Sequence, residues 1–196
     1  MKKIESVYRE ILYRAIDKKE FQLTQSELSK KLNLSLSIVN LAVKKLESIG
    51  AVRIMQRSFK VIDTKKILYF WASARNLEKD IIFKTRINMP VREIERNLPS
   101  ITFTAYTAYK LKFNDTPADY SEIYVYADEK ELETVKKRFP KREDEKKPNL
   151  FVLKKDENIN LYKTLPISQI FVDLWNLKEW YAKDFINALE KNIEVK

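Results

Sequence analysis

The side chains available for chemistry in this sequence are narrowly restricted: its 196 residues include no histidine, no cysteine and one glycine, Gly50. Without histidine the commonest general base, Ser-His triads and HExxH metal sites are excluded. Without cysteine there are no disulfides, thiol nucleophiles or cysteine zinc sites. A single glycine builds neither a P-loop nor a dinucleotide-binding loop, both of which need glycines where backbone amides approach phosphate. Catalysis would have to rest on Asp, Glu, Lys, Tyr and Ser, with carboxylates holding Mg2+. Two acidic groups come into question, Asp128 with Glu129, and Glu143 with Asp144 and Glu145. The second lies in the run KKRFPKREDEKKPN, whose mixed signs read as a solvated loop. The Gly-Ser turn with paired carboxylates that marks active nucleotidyltransferases is missing. The expectation is therefore a chain with no catalytic residue, no metal ligand and no cofactor.

A different chemistry is concentrated near the start. Residues 1–75 hold 16 Lys and Arg against 7 Asp and Glu, whereas residues 76–196 hold 22 against 21, so nearly all of the net charge of +10 falls in the first part. Basic side chains that neutralise phosphates release condensed counterions and so bind nucleic acid. Lys30, Lys31, Lys44, Lys45, Arg53, Arg57 and Lys60 are the candidates for phosphate contact. Within residues 35–48, Ser37 and Asn40 could reach base edges and Leu41 could touch a thymine methyl.

The elements that would position these groups can be read from caps and periodicity. Ile4, Val7, Tyr8, Ile11, Leu12 and Ala15 mark an amphipathic first helix. Thr24-Gln25-Ser26-Glu27 has capping-box spacing, with Asn33 placed to end the short helix beyond it. Ser35 can cap the next helix, on which Val39, Val43 and Leu46 form an inward stripe. Gly50 then serves as a left-handed cap, and residues 51–55 and 59–62 form β-prone runs around a polar tip at Gln56, Arg57 and Ser58. Helix, tight turn, helix, glycine and hairpin is the order of a winged helix-turn-helix. The stretch LNLSLSIVNLAVKKLESIGAV resembles the corresponding part of MarR-like and related bacterial and archaeal regulators.

Asp63 can cap a helix over residues 64–74, whose apolar surface of Ile67, Leu68, Phe70, Trp71 and Ala74 could close the winged helix, pack on a second domain or form a dimer seam. Residues 75–80 are polar and read as a linker. Beyond them come a strand at 81–87, a helix at 91–98 and a helix at 101–111 capped by Ser100. A strand at 123–127, a helix at 129–139 and a strand at 150–154 come next. Pro166 and Ser168 then lead into a helix at 170–176, and Glu179 into one ending at Asn192. No internal repeat is evident. Asp173, within the apolar run IFVDLW, is expected to pair with a Lys or Arg. Tyr106, Tyr109, Tyr120, Tyr124 and Tyr126 are expected in core and interface rather than as base-stacking platforms.

The order SITFTAYTAYKLKF, SEIYVYADEKELE, NLFVLKK, TLPISQIFVDLWNL and YAKDFINALEKN resembles the C-terminal domain of AbiEi-type antitoxins and related transcriptional regulators. The matching residues are Ala105, Ala108, Tyr124 to Tyr126, Leu150 to Leu153, Pro166, Asp173 and Leu174. That resemblance implies a DNA-binding regulator, often autoregulating an operon with a nucleotidyltransferase-like toxin.

The sequence thus predicts an α+β chain: a winged helix-turn-helix domain with trailing helix over residues 1–75, then a small α/β regulatory or interaction domain over 76–196. The latter has a short mixed sheet and is nucleotidyltransferase-like without the catalytic motif. The function read from it is sequence-specific double-stranded DNA binding in transcription regulation, as a cytoplasmic homodimer with no membrane association. The competing readings are a protein-interaction winged-helix module and an unusual nucleotidyltransferase.

Overall fold

Local signals set the first elements. The computed structural model describes residues 1–141 and 147–194. Helix α1 (Lys3–Leu12) runs into a π-helical turn, Tyr13–Asp17. Its apolar face (Val7, Tyr8, Ile11, Leu12) is buried, and so are the polar Glu5, Ser6, Arg9 and Glu10. More than a third wall for a small core, α1 is enclosed on nearly every side.

Strand β1 (Gln22–Leu23) leads to α2 (Gln25–Leu32), where Thr24 Oγ1 accepts from the Glu27 amide at 3.2 Å. The Glu27 carboxylate lies 4.0 Å from the Arg14 guanidinium. Asn33, with φ 51°, ends α2, and the Leu34 amide reaches back to the Ser29 carbonyl. Helix α3 (Leu36–Ser48) is capped by Ser35 and buries Val39, Ala42, Val43 and Leu46. Its end is a Schellman turn in which the Ala51 amide bonds Leu46 O and the Gly50 amide bonds Glu47 O, with Gly50 at φ +70°. Strands β2 (Val52–Ile54) and β3 (Phe59–Val61) pair antiparallel, and β1 adds to the far side of β3, giving the order β1-β3-β2.

Helix α4 (Thr64–Ala74), capped by Asp63, buries Ile67, Leu68, Trp71 and Ala72. Phe70 meets the Tyr8 ring edge-on at 5.6 Å and Tyr69 meets Phe171 at 5.5 Å. Of the three roles open to it, α4 joins the front elements to the rest of the chain; Ala74 is exposed. The stretch read as a linker is not one. Residues Leu77–Asp80 form a 3-10 turn, Leu77 is buried, and Arg75 is among the most enclosed charges in the molecule.

A second sheet is formed by β4 (Ile81–Thr85), β5 (Thr102–Thr104), β6 (Ile123–Ala127) and β7 (Leu150–Lys154) in the order β4-β7-β6-β5. The β6–β7 pair is parallel and the two outer pairs are antiparallel, which makes the sheet mixed. On one face Tyr124 joins the large core, and Tyr126 and Leu153 join a small cluster with Leu77 and Ile159. On the other, Ile123, Val125 and Val152 pack with Ile94, Val135 and Phe139. The period-2 alternation of a strand covered on both faces accounts for this. Helices α5 (Val91–Asn97) and α7 (Glu129–Arg138) lie on the second face; α6 (Ala105–Phe113), α8 (Ile167–Trp175) and α9 (Ala182–Glu194) pack together in the large core.

The helix expected over 101–111 starts only at Ala105, because residues 102–104 pair with β6 as a strand. Ala105 itself adopts φ 51°, a conformation that its residue type does not announce. Ser168 does not lead into α8 but sits within it, buried, its Oγ without a hydrogen-bond partner among the described residues. The large core runs from Val7 in α1 to Leu189 in α9 without a break at residue 75.

Candidate nucleic-acid interface

The outer face of α3 carries the residues expected to read bases. Ser37 is exposed, and so is Leu41 at 51%. Asn40 is half-buried, and its Nδ2 donates to Gln25 Oε1 on α2 at 3.1 Å. An amide has two N–H donors and a carbonyl, so this bond orients the side chain and leaves one donor and the acceptor for a base edge. Gln25 is a positioning residue that sequence reasoning missed. Its place at the first residue of α2, beside the middle of α3, is the signal that could have found it. Leu36, 55% exposed at the first turn of α3, is a second apolar group on the same surface that was missed.

The basic residues divide into two groups. Lys30, Lys44, Lys45, Arg53, Arg57 and Lys60 are exposed. Lys31 is turned inward: its Nζ lies 2.7 Å from Glu10 Oε1 and 5.5 Å over the Tyr13 ring, so its charge is already compensated within the protein. On the wing, Arg53 of β2 and Lys60 of β3 are direct cross-strand partners, with Gln22 of β1 next in the same row. Like charges placed opposite each other on a sheet are destabilising, so this row is costly to the fold and suited to a polyanion. Arg57 stands at the tip, where the Met55 amide closes the turn on Ser58 O.

Behind this surface lies a buried polar network. Asp173 accepts from Arg75 Nε (2.9 Å), Thr104 Oγ1 (2.7 Å), Tyr126 OH (2.6 Å) and Gln169 Nε2 (3.0 Å). The arginine partner expected for it is therefore present. Arg75 also reaches Glu5 and Asp80, and Trp71 Nε1 donates to Glu5 at 3.1 Å. Arg9 forks onto both oxygens of Asp156, at 2.6 and 2.8 Å. Burial by itself would raise the Asp156 pKa, but the Arg9 guanidinium overrides it and holds the carboxyl below the usual range. Glu10 accepts from Tyr162, Arg14 and Lys31 together, tying residue 162 to helix α2. Arg9 and Arg75 thus pair with Asp156, Asp173 and Asp80, acids of the later part of the chain. The surface charge is shared along the chain more evenly than residue counting implies.

Of the two acidic groups considered for catalysis, one falls within the described residues. Asp128 caps α7 in a reciprocal box with Glu131, whose carboxylate also meets Lys155 at 3.1 Å. Glu143, Asp144 and Glu145 lie outside the described residues. Among the described residues, no group of three or more acidic side chains is placed to hold a metal ion, and no helix is long and apolar enough to cross a membrane. Tyr106, Tyr124 and Tyr126 are buried, with their hydroxyls on Glu179 or Asp173, as expected of core residues.

Comparison with known proteins agrees with the front of the chain. No curated protein and no solved structure matches it. Residues 9–53 match a family model described as winged helix-turn-helix DNA-binding, a span that runs from α1 through α3 into β2. The helix-turn-helix and the start of its wing are thus similar to those of a DNA-binding module, which supports a DNA-binding regulator.

Proposed function

We propose that this protein is a sequence-specific, double-stranded DNA-binding transcriptional regulator that acts in the cytoplasm as a homodimer. The observation that carries the reading is the surface joining α3 to the wing. Ser37, an oriented Asn40 and an exposed Leu41 stand beside six exposed basic side chains, two of them, Arg53 and Lys60, in an unfavourable like-charge pair. Helix α3 would enter the major groove with Ser37 and Asn40 toward base edges and Leu41 toward a thymine methyl. Lys44 and Lys45 would hold phosphates, and Arg57 and Lys60 would reach the backbone beside the groove. One short helix reads few base pairs, so paired half-sites on a dimer would supply the remaining specificity.

The later part of the chain regulates or contacts protein and does not catalyse. Its resemblance to AbiEi-type antitoxins supports a partner of the nucleotidyltransferase-like toxin class and autoregulation of a shared operon. The test is a split between two substitutions, scored on the protein's own upstream DNA and on random DNA. Asn40→Ala is expected to narrow the specific-to-random ratio, losing about 1–3 kcal/mol of discrimination. Lys44→Ala is expected to weaken both DNAs alike. If both variants bind upstream DNA as the parent does, α3 is not the reading element.

A further inference from the structure

We propose that the groove between the amino-terminal end of α1 and the end of β7 is a second phosphate-binding surface for the same DNA duplex, so that the later part of the chain extends the footprint. This rests on the reading of α3 and the wing as the DNA interface, and adds a contact that neither contains.

The groove is lined by Lys2, Lys3, Asn33, Leu34, Lys154 and Glu157, with Lys155 and Asp156 in its wall. Asn33 and Leu34 are the turn between α2 and α3, so the groove opens at the amino-terminal end of the proposed recognition helix, where Leu36 and Ser37 are exposed. Its charges are unevenly compensated. Asp156 is engaged by buried Arg9 at 2.6 Å, and Lys155 by Glu131 at 3.1 Å. Lys2, Lys3 and Lys154 are exposed and form no ion pair among the described residues, with Glu157 the one uncommitted acid in the lining. Turning Asp156 inward removes the natural counter-charge and leaves three ammonium groups from two distant segments facing one space.

Lys2 and Lys3 are also poorly placed for the fold itself. They stand at the cap and first position of α1, the positive end of its dipole, where cations are unfavourable. Together with the Arg53–Lys60 pair on the wing, they break a local rule at either side of α3. An anionic backbone passing over both would relieve both.

Salt dependence tests this in the full-length chain. The triple variant Lys2→Ala, Lys3→Ala, Lys154→Ala is compared with a control triple of equal charge change, Lys137→Ala, Lys183→Ala, Lys191→Ala, exposed on α7 and α9. On both upstream and random duplexes, the groove triple is expected to flatten the fall of log K with log salt by about 2.7, at about 0.9 for each phosphate no longer neutralised. The specific-to-random ratio stays at the parental value, the thermal midpoint does not fall, and the control keeps the parental slope. A parental slope in the groove triple overturns the proposal, as does equal flattening by both triples. If Asn40→Ala still narrows the ratio in that case, the assignment of α3 survives alone; if the parent chain binds no DNA, both fall.

Discussion

Asp173 and Arg75 are 98 residues apart in sequence and form the centre of the buried network, each with nearly no exposure to water. Removing Asp173 leaves the desolvated Arg75 guanidinium with only Glu5 and Asp80 to compensate it and takes the acceptor from buried Thr104, Tyr126 and Gln169. Asp173→Ala is expected to cost about 3–5 kcal/mol in urea unfolding; a loss under about 1 kcal/mol would mean that water reaches Arg75. At the proposed DNA-facing surface, Gln25→Ala is expected to narrow the specific-to-random ratio as Asn40→Ala does, without changing the salt slope, because Gln25 is uncharged and bonds Asn40. Unchanged discrimination would remove Gln25 from the mechanism. Residue types with local roles were legible in the sequence: Thr24, Ser35 and Asp63 as caps, Asn33 and Gly50 as left-handed ends. Roles set by distant partners were not. Lys31 has the sequence context of a free surface lysine, and only the fold brings Glu10 beneath it.

At the scale of elements, the turns carry the testable strain. A Cβ at Gly50 would meet nothing closer than Lys66 Nζ at 3.8 Å, so Gly50→Ala is penalised through backbone conformation alone, by about 1–2 kcal/mol. Ala105 occupies the same left-handed region without a glycine's freedom. Ala105→Gly therefore relieves backbone strain while losing a buried methyl, and is expected to cost at least about 1 kcal/mol less than Ala108→Gly, a substitution within regular helix. Equal costs would argue against strain at the β5–α6 junction. Ser168→Ala, which removes a buried hydroxyl with no partner among the described residues, is expected to be neutral or stabilising in thermal melts. A fall in midpoint equivalent to more than about 1 kcal/mol would contradict this. The same junctions mark where the sequence misled. Strand β5 is three residues long and abuts α6 directly, so its Thr-Phe-Thr run merges with the helical pattern after it.

For the molecule as a whole, one core and one ion network span what the sequence reads as two domains. Unfolding is expected to be a single transition, with tryptophan fluorescence and circular dichroism coinciding, and a fragment of residues 1–75 is expected not to fold, since Arg9 would lose Asp156 and Arg75 would lose Asp173 and Asp80. Two separated transitions would restore the two-domain picture. Stability should also fall at both ends of the pH range. Burial, reinforced by Asp173 or Glu179, raises the pKa of Tyr126, Tyr106 and Tyr124, and burial with Glu122 pushes Tyr181 up to about 12. Unfolded tyrosines ionise near about 10, so this stability is full below about pH 10 and is lost as pH rises beyond it. Asp156, held low in the fold, contributes above about pH 4 and loses its contribution as pH falls through its folded value. DNA recognition itself is measured by the affinity of the full chain for its own upstream DNA and for random duplex over a salt series. A specific excess that survives competitor is expected, with log K falling by about 0.9 for each neutralised phosphate as log salt rises. Equal affinity for both duplexes at every salt concentration would contradict it.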